Sequence, residues 1–162
     1  MRTTSATALQ EGHDGFRAIL WGGLIAGFLD ITYACVFSYL RRGTNPKTIL
    51  QSVASGALGA SAFKGGWGTA ILGAVFHFLI AFVAATIYFL ASRKLKFLVQ
   101  WAVVCGLLYG VLIYLFMNLV VLPLSAISFK PSYPLLVLAT GLAVHMFFIG
   151  LPISLAVRHY SK

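Results

Sequence analysis

Residues 67–92 read WGTAILGAVFHFLIAFVAATIYFLAS, twenty-six positions without an aspartate, glutamate, lysine or arginine. A bilayer's hydrocarbon core is roughly 30 Å thick and takes about 20 apolar residues in helical form, so this stretch is long enough to cross it. Three more stretches behave alike: 16–40, 98–122 and 134–157. Across the chain 60% of residues are hydrophobic and 9% charged, with a mean hydropathy of +0.92, whereas a soluble domain is about a quarter charged. The reading is an all-α, polytopic membrane protein with four transmembrane helices in one bundle, and the lipid bilayer as its first partner. No polar stretch is long enough to fold as a separate soluble domain, so function has to sit in the helices or their short connections.

A formal charge of +9 would point to nucleic acid in a soluble protein. Here the basic residues flank the spans, where they meet anionic headgroups, and nucleic acid is set aside as a partner. Alternating spans put Arg2, Arg17, Arg93, Lys94, Lys96, Arg158 and Lys162 on one side, and Arg41, Arg42, Lys47, Lys64 and Lys130 on the other. Seven against five places both termini in the cytoplasm. Trp21, Trp67 and Trp101 lie near span ends, as interfacial aromatics do, and Cys35 and Cys105 fall inside apolar runs as small hydrophobes.

The polar residues 1–15 read as a flexible tail. Arg41-Arg42-Gly43 ends the first span, and Asn45-Pro46 starts another helix, with asparagine as N-cap and proline at the first helical position. That helix, 46–63, is too short to span and is expected to be interfacial or re-entrant. The third span should stop at Pro123. Lys130-Pro131-Ser132-Tyr133-Pro134 suits a rigid loop, and Pro152 should kink the end of the fourth span.

Internal likeness organises the rest. Gly23-Leu-x-x-Gly27-x-Leu29 recurs as Gly106-Leu-x-x-Gly110-x-Leu112, and Gly73-x-x-x-His77 recurs as Gly141-x-x-x-His145. The order is the same in both halves, which reads as a tandem two-helix hairpin with the 46–63 helix inserted in the first copy. The six glycines Gly23, Gly27, Gly73, Gly106, Gly110 and Gly141 are candidates for close helix packing.

Each span also carries a polar side chain: Asp30, His77, Asn118 and His145. At 1.5 Å per residue, Asp30, His77 and His145 fall in one layer near the midplane, and Asn118 joins them if its helix continues through Pro123. A carboxylate at such a depth costs at least about 2.5–3.5 kcal/mol on insertion scales, so Asp30 should face the bundle interior and pair with His77 or His145. Simple cross-helix hydrogen bonding is the plainer role for all four, with average worth about 0.6 kcal/mol.

Gly43-x-x-Pro46, Leu50-Gln51 and the glycine-rich lead into Gly73-x-x-x-His77 together resemble small, uncharacterised bacterial inner-membrane proteins of the YagU-like group, over residues 20–157. The resemblance implies an inner-membrane location and a link to acid tolerance, without a known activity.

Three functions fit. One is transport or conduction of a proton, cation or small solute, with Asp30 as the titrating or ion-binding group and His77 and His145 as relays; it implies a homo-oligomer. Another is a cofactor site, either haem b between His77 and His145 or a divalent metal held by both and Asp30. The third is a non-catalytic subunit or assembly factor of a larger membrane complex, whose polar layer sets helix register. No Gly-x-Ser-x-Gly, His-Glu-x-x-His or phosphate-binding loop is present, so an enzyme is not expected.

Overall fold

The computed structural model describes residues 2–127 and 134–161, with side chains described from residue 13 onward; the predicted rigid loop at Lys130 to Tyr133 lies outside them. The described elements are all helical. Helix α1 (Arg2–Arg42) contains the first membrane-length segment, His13–Arg42, and begins within the stretch read above as a tail. The short α2 (Pro46–Leu58) runs into a 3-10 segment (Gly59–Lys64), and α3 (Gly66–Lys94) is the second span. After a single turn, α4 (Phe97–Gln100), the third span Ala102–Leu124 is built from α5 (Ala102–Phe116), a π-helical segment (Met117–Val121) and α6 (Leu122–Leu124). The fourth, Leu135–Tyr160, is built from α7 (Leu135–Val144), a second π segment (His145–Gly150) and α8 (Leu151–Tyr160). Four helices long and apolar enough to cross a membrane make this a multi-pass membrane protein.

Local chemistry explains the boundaries. Gly43 takes φ +65 and donates its N–H to the Tyr39 carbonyl, the left-handed cap that ends α1. Asn45 Oδ1 accepts from the Thr48 N–H at 2.9 Å and from Thr48 Oγ1 at 3.0 Å, so α2 starts where the Asn45-Pro46 signal puts it.

Alanines make up much of the interior, and many large apolar side chains face outward. Ala18, Ala26, Ala54, Ala70 and Ala85 are fully buried, while Ile71, Val75, Leu79, Val83 and Ile87 form an exposed stripe along α3. That is the arrangement of helices that pack in lipid, where association rests on close backbone approach rather than on hiding apolar surface. Gly110 faces the backbone of His145 and Met146, and Gly150 meets the backbone of Gly106 and Gly110, so the third and fourth spans touch almost main chain to main chain. Gly106 faces Ser154. On α1, Gly23 lies under the Phe82 ring and Gly27 under Phe78 and Ala81 of α3. Gly73 is in contact with the Leu50 carbonyl of α2, and Gly141 faces the Tyr114 ring.

Helix α2 is sewn to α3. Gln51 Nε2 donates to the Gly66 carbonyl at 2.9 Å and to Thr69 Oγ1 at 3.2 Å, and Thr69 Oγ1 donates to the Ala62 carbonyl at 2.6 Å. The Leu50 contact at Gly73 lies about 10 Å along α3 from its first residue, so α2 reaches inside the length of the span. The Gly56 carbonyl accepts the Ala126 N–H, tying α2 also to the end of the third span.

The third span does not stop at Pro123. It continues to Leu124 because the preceding turn widens. Proline has no N–H for the carbonyl one turn back. The Leu122 N–H instead reaches the Met117 carbonyl, and Leu151, before Pro152, reaches Met146 in the same way. These π turns keep the helix hydrogen-bonded up to the residue before each proline.

Candidate functional site

Asp30 on α1, His77 on α3, Asn118 in the first π segment and His145 at the start of the second all line one chamber of about 270 Å³. All four side chains are half-buried. The rest of the wall is apolar or small: Ala26 and Gly27 of α1, Val53 of α2, Ile80, Ala81 and Ala84 of α3, and Ile113, Met117, Leu122 and Ile149 of the third and fourth spans. One polar group from each of the four spans therefore meets in one place. Asn118 takes part because its helix passes Pro123.

The imidazoles are oriented by backbone carbonyls. His77 Nε2 lies 2.8 Å from the Gly27 carbonyl across the α1–α3 contact, and His145 Nδ1 lies 2.8 Å from the Gly141 carbonyl one turn back. A carbonyl can only accept, so each of these nitrogens carries a proton. His77 Nδ1 and His145 Nε2 are then the nitrogens left for other partners. Gly27 matters twice, since the close approach that its missing side chain permits also brings its carbonyl to His77. Tyr114 packs edge-on against His145 with centroids 5.2 Å apart, and Asn118 Nδ2 donates to the Tyr114 carbonyl at 2.8 Å.

The direct Asp30–imidazole pair expected from the sequence is not formed. Among the described residues the ion pair present is Asp14 with Arg17 at 3.8 Å, and both histidines spend one nitrogen on carbonyls instead. Sequence spacing sets the depth of a side chain, but helix rotation sets which neighbour it reaches. Among the described residues no three His, Cys, Asp or Glu side chains come together as a metal-holding group.

Toward the end of the bundle that carries the termini, the chamber adjoins a packed layer, with Ala26, Ala84 and Ile149 belonging to both. Tyr88, Tyr109, Ile149, Ile153 and Val157 form a buried layer with Ala26, Ala84 and Ala85. The Tyr109 hydroxyl donates to the Ala84 carbonyl at 2.7 Å and the Tyr88 hydroxyl to the Leu98 carbonyl at 3.0 Å, with the two rings edge to face at 5.0 Å. Tyr33, one turn beyond Asp30, stacks on Phe37 at 5.3 Å, and its buried hydroxyl has no hydrogen-bond partner among the described residues.

The paired π segments are the part of the site that polar residues alone do not announce. Their signal is a second internal likeness, Met117-x-x-x-x-Leu122-Pro123 and Met146-x-x-x-x-Leu151-Pro152, with the π hydrogen bond running from leucine to methionine in both. Comparison of the chain with protein-family models, curated proteins and solved structures finds no match in any of the three.

Proposed function

We propose that the chain is a transporter that binds a proton, or a small solute carrying one, in the Asp30–His77–Asn118–His145 chamber and moves it across a bacterial inner membrane. The observation that carries this reading is the convergence of one polar side chain from each span on a single chamber within the bundle. Polar groups inside a membrane are costly, and four on separate helices that only fixed helix register would be expected to satisfy one another. Here Asp30 has no ion-pair partner among the described residues and each imidazole keeps one nitrogen free.

Asp30 is the group that loses and regains the proton. His77 and His145 face the same space without touching the carboxylate, so exchange between them passes through whatever fills the chamber. The tyrosine layer is the closed side of the path. Four spans leave little room for both sides to open in turn within one copy, so the working unit of this reading is a homo-oligomer. The basic cluster around Arg93, Lys94 and Lys96 favours cytoplasmic termini, and the likeness to the YagU-like group agrees with an inner-membrane protein that meets acid. The test is proton flux into liposomes under a pH gradient. Wild type should conduct, Asp30→Asn should abolish the flux, and His77→Ala should reduce it; flux that ignores Asp30→Asn overturns the reading.

A second reading has one observation in its favour. His145 donates Nδ1–H to a backbone carbonyl and presents Nε2, the way metal-ligating histidines are held. Haem b or a divalent metal between His145 and His77 predicts a Soret band or stoichiometric metal in the purified protein, lost in the His77→Ala, His145→Ala double variant.

A further inference from the structure

The most extensive backbone approaches in the bundle are α3 with α2 and α1, α1 with α8, and α5 with the second π segment and α8; α3 and α5 are not among them. Between α3 and α5 lies a seam of about 400 Å³, lined by Leu79, Val83, Ile87, Leu112, Phe116 and other apolar side chains. Leu79, Val83, Leu112 and Phe116 are each half or more exposed on the outer surface, so the seam opens sideways to lipid. At its inner edge Ile80, Ala84, Ile113 and Met117 line both the seam and the polar chamber. The two spaces adjoin across these four side chains, the outer one apolar and the inner one polar.

Size and chemistry then select the ligand. A dry cavity of about 150 Å³ holds benzene, so the chamber of about 270 Å³ takes a head group of about ten non-hydrogen atoms, and a longer molecule has to use the seam as well. The tyrosine layer is packed toward the end that carries the termini, and the lateral route crosses hydrocarbon, which charged species enter only at high cost. At the inner end wait a carboxyl with no ion-pair partner among the described residues, one further nitrogen on each imidazole and the Asn118 amide oxygen, able together to donate and accept.

Resting on the chamber being the functional site, we infer that its solute is a single-chain lipid with a compact, uncharged, hydrogen-bonding head, of alcohol or quinone type. It enters between α3 and α5, puts its head among Asp30, His77, Asn118 and His145, and leaves its chain in the seam. Ile80 and Ile113 form the throat.

The experiment is photolabelling of the full chain in phosphatidylethanolamine and phosphatidylglycerol vesicles with hexadecanol carrying a mid-chain diazirine, mapped by peptide mass spectrometry. Label should concentrate on α3 and α5 at residues 79–87 and 112–121. Unlabelled hexadecanol should compete about threefold to tenfold better than hexadecane, the size of one or two hydrogen bonds inside a membrane. Ile80→Trp, and separately Ile113→Phe as a milder block, should remove the focused label. Label spread evenly over all lipid-facing stretches, or competed equally by alcohol and alkane, overturns the inference. Cross-links joining the seam of one copy to a second copy overturn it as well, by showing another occupant. Diffuse label with Asp30-dependent flux intact removes this inference alone; focused label with flux that ignores Asp30→Asn removes the proton reading and keeps the lipid site.

Discussion

The two ends of the bundle solve the same problem in opposite ways. Near the termini, polar side chains inside the span are spent: the Tyr88 and Tyr109 hydroxyls each donate to a carbonyl, and their rings fill the space between helices. Toward α2, Asp30, the histidines and Asn118 surround a space instead of filling it, and both third- and fourth-span helices widen into π turns there. Packing is complete where the chain needs stability and incomplete where it holds hydrogen-bonding capacity in reserve. On the proposed function, stability and binding are divided along the membrane normal.

Substitutions can break that division or sharpen it. The largest effect belongs to the main-chain contact between the third and fourth spans. Gly110→Leu pushes a side chain into the backbone of His145 and Met146, and should cost about 3 kcal/mol, the upper end for overpacking. Gly27→Ala should cost less, about 1 kcal/mol, because the ring edge of Phe78 can move where a backbone cannot. Unfolding in mixed detergent micelles ranks the pair, and equal losses would show that the two contacts do not differ.

Gln51→Ala removes the two hydrogen bonds that hold α2 to the start of α3, and should loosen residues 46–64 by about 1–2 kcal/mol. Hydrogen exchange over that segment should rise while exchange in the tyrosine layer stays unchanged. Tyr109→Phe deletes the bond to the Ala84 carbonyl in the packed half, with an expected loss of about 0.6–1 kcal/mol in thermal unfolding and no effect on flux.

Much of this architecture is legible in the sequence. The four apolar stretches announce the spans, Asn45-Pro46 announces α2, and the layer of Asp30, His77 and His145 follows from helix rise alone. Two features escape for physical reasons. The depth of α2 is invisible because a run too short to span can lie flat or dip, and only the Gly73 contact with Leu50 decides. Partner choice at Asp30 is invisible because a carbonyl across the α1–α3 contact competes for His77, and no sequence spacing reports where a main-chain oxygen points. The π turns lie between these cases, since the repeated Met-x-x-x-x-Leu-Pro was there to be read but its meaning depends on how the helix winds in the turn before a proline.

The smallest expected change is also the most telling one. If the chamber is a binding site, its polar groups contribute little to the fold, and removing the carboxyl charge relieves a cost rather than breaking a bond. Thermal unfolding and proton flux should therefore be measured on the same preparation of Asp30→Asn. Stability should be unchanged or raised by up to about 0.5 kcal/mol, with flux lost. A loss of stability above about 1 kcal/mol with flux retained would contradict it, and would make the four polar residues a packing device.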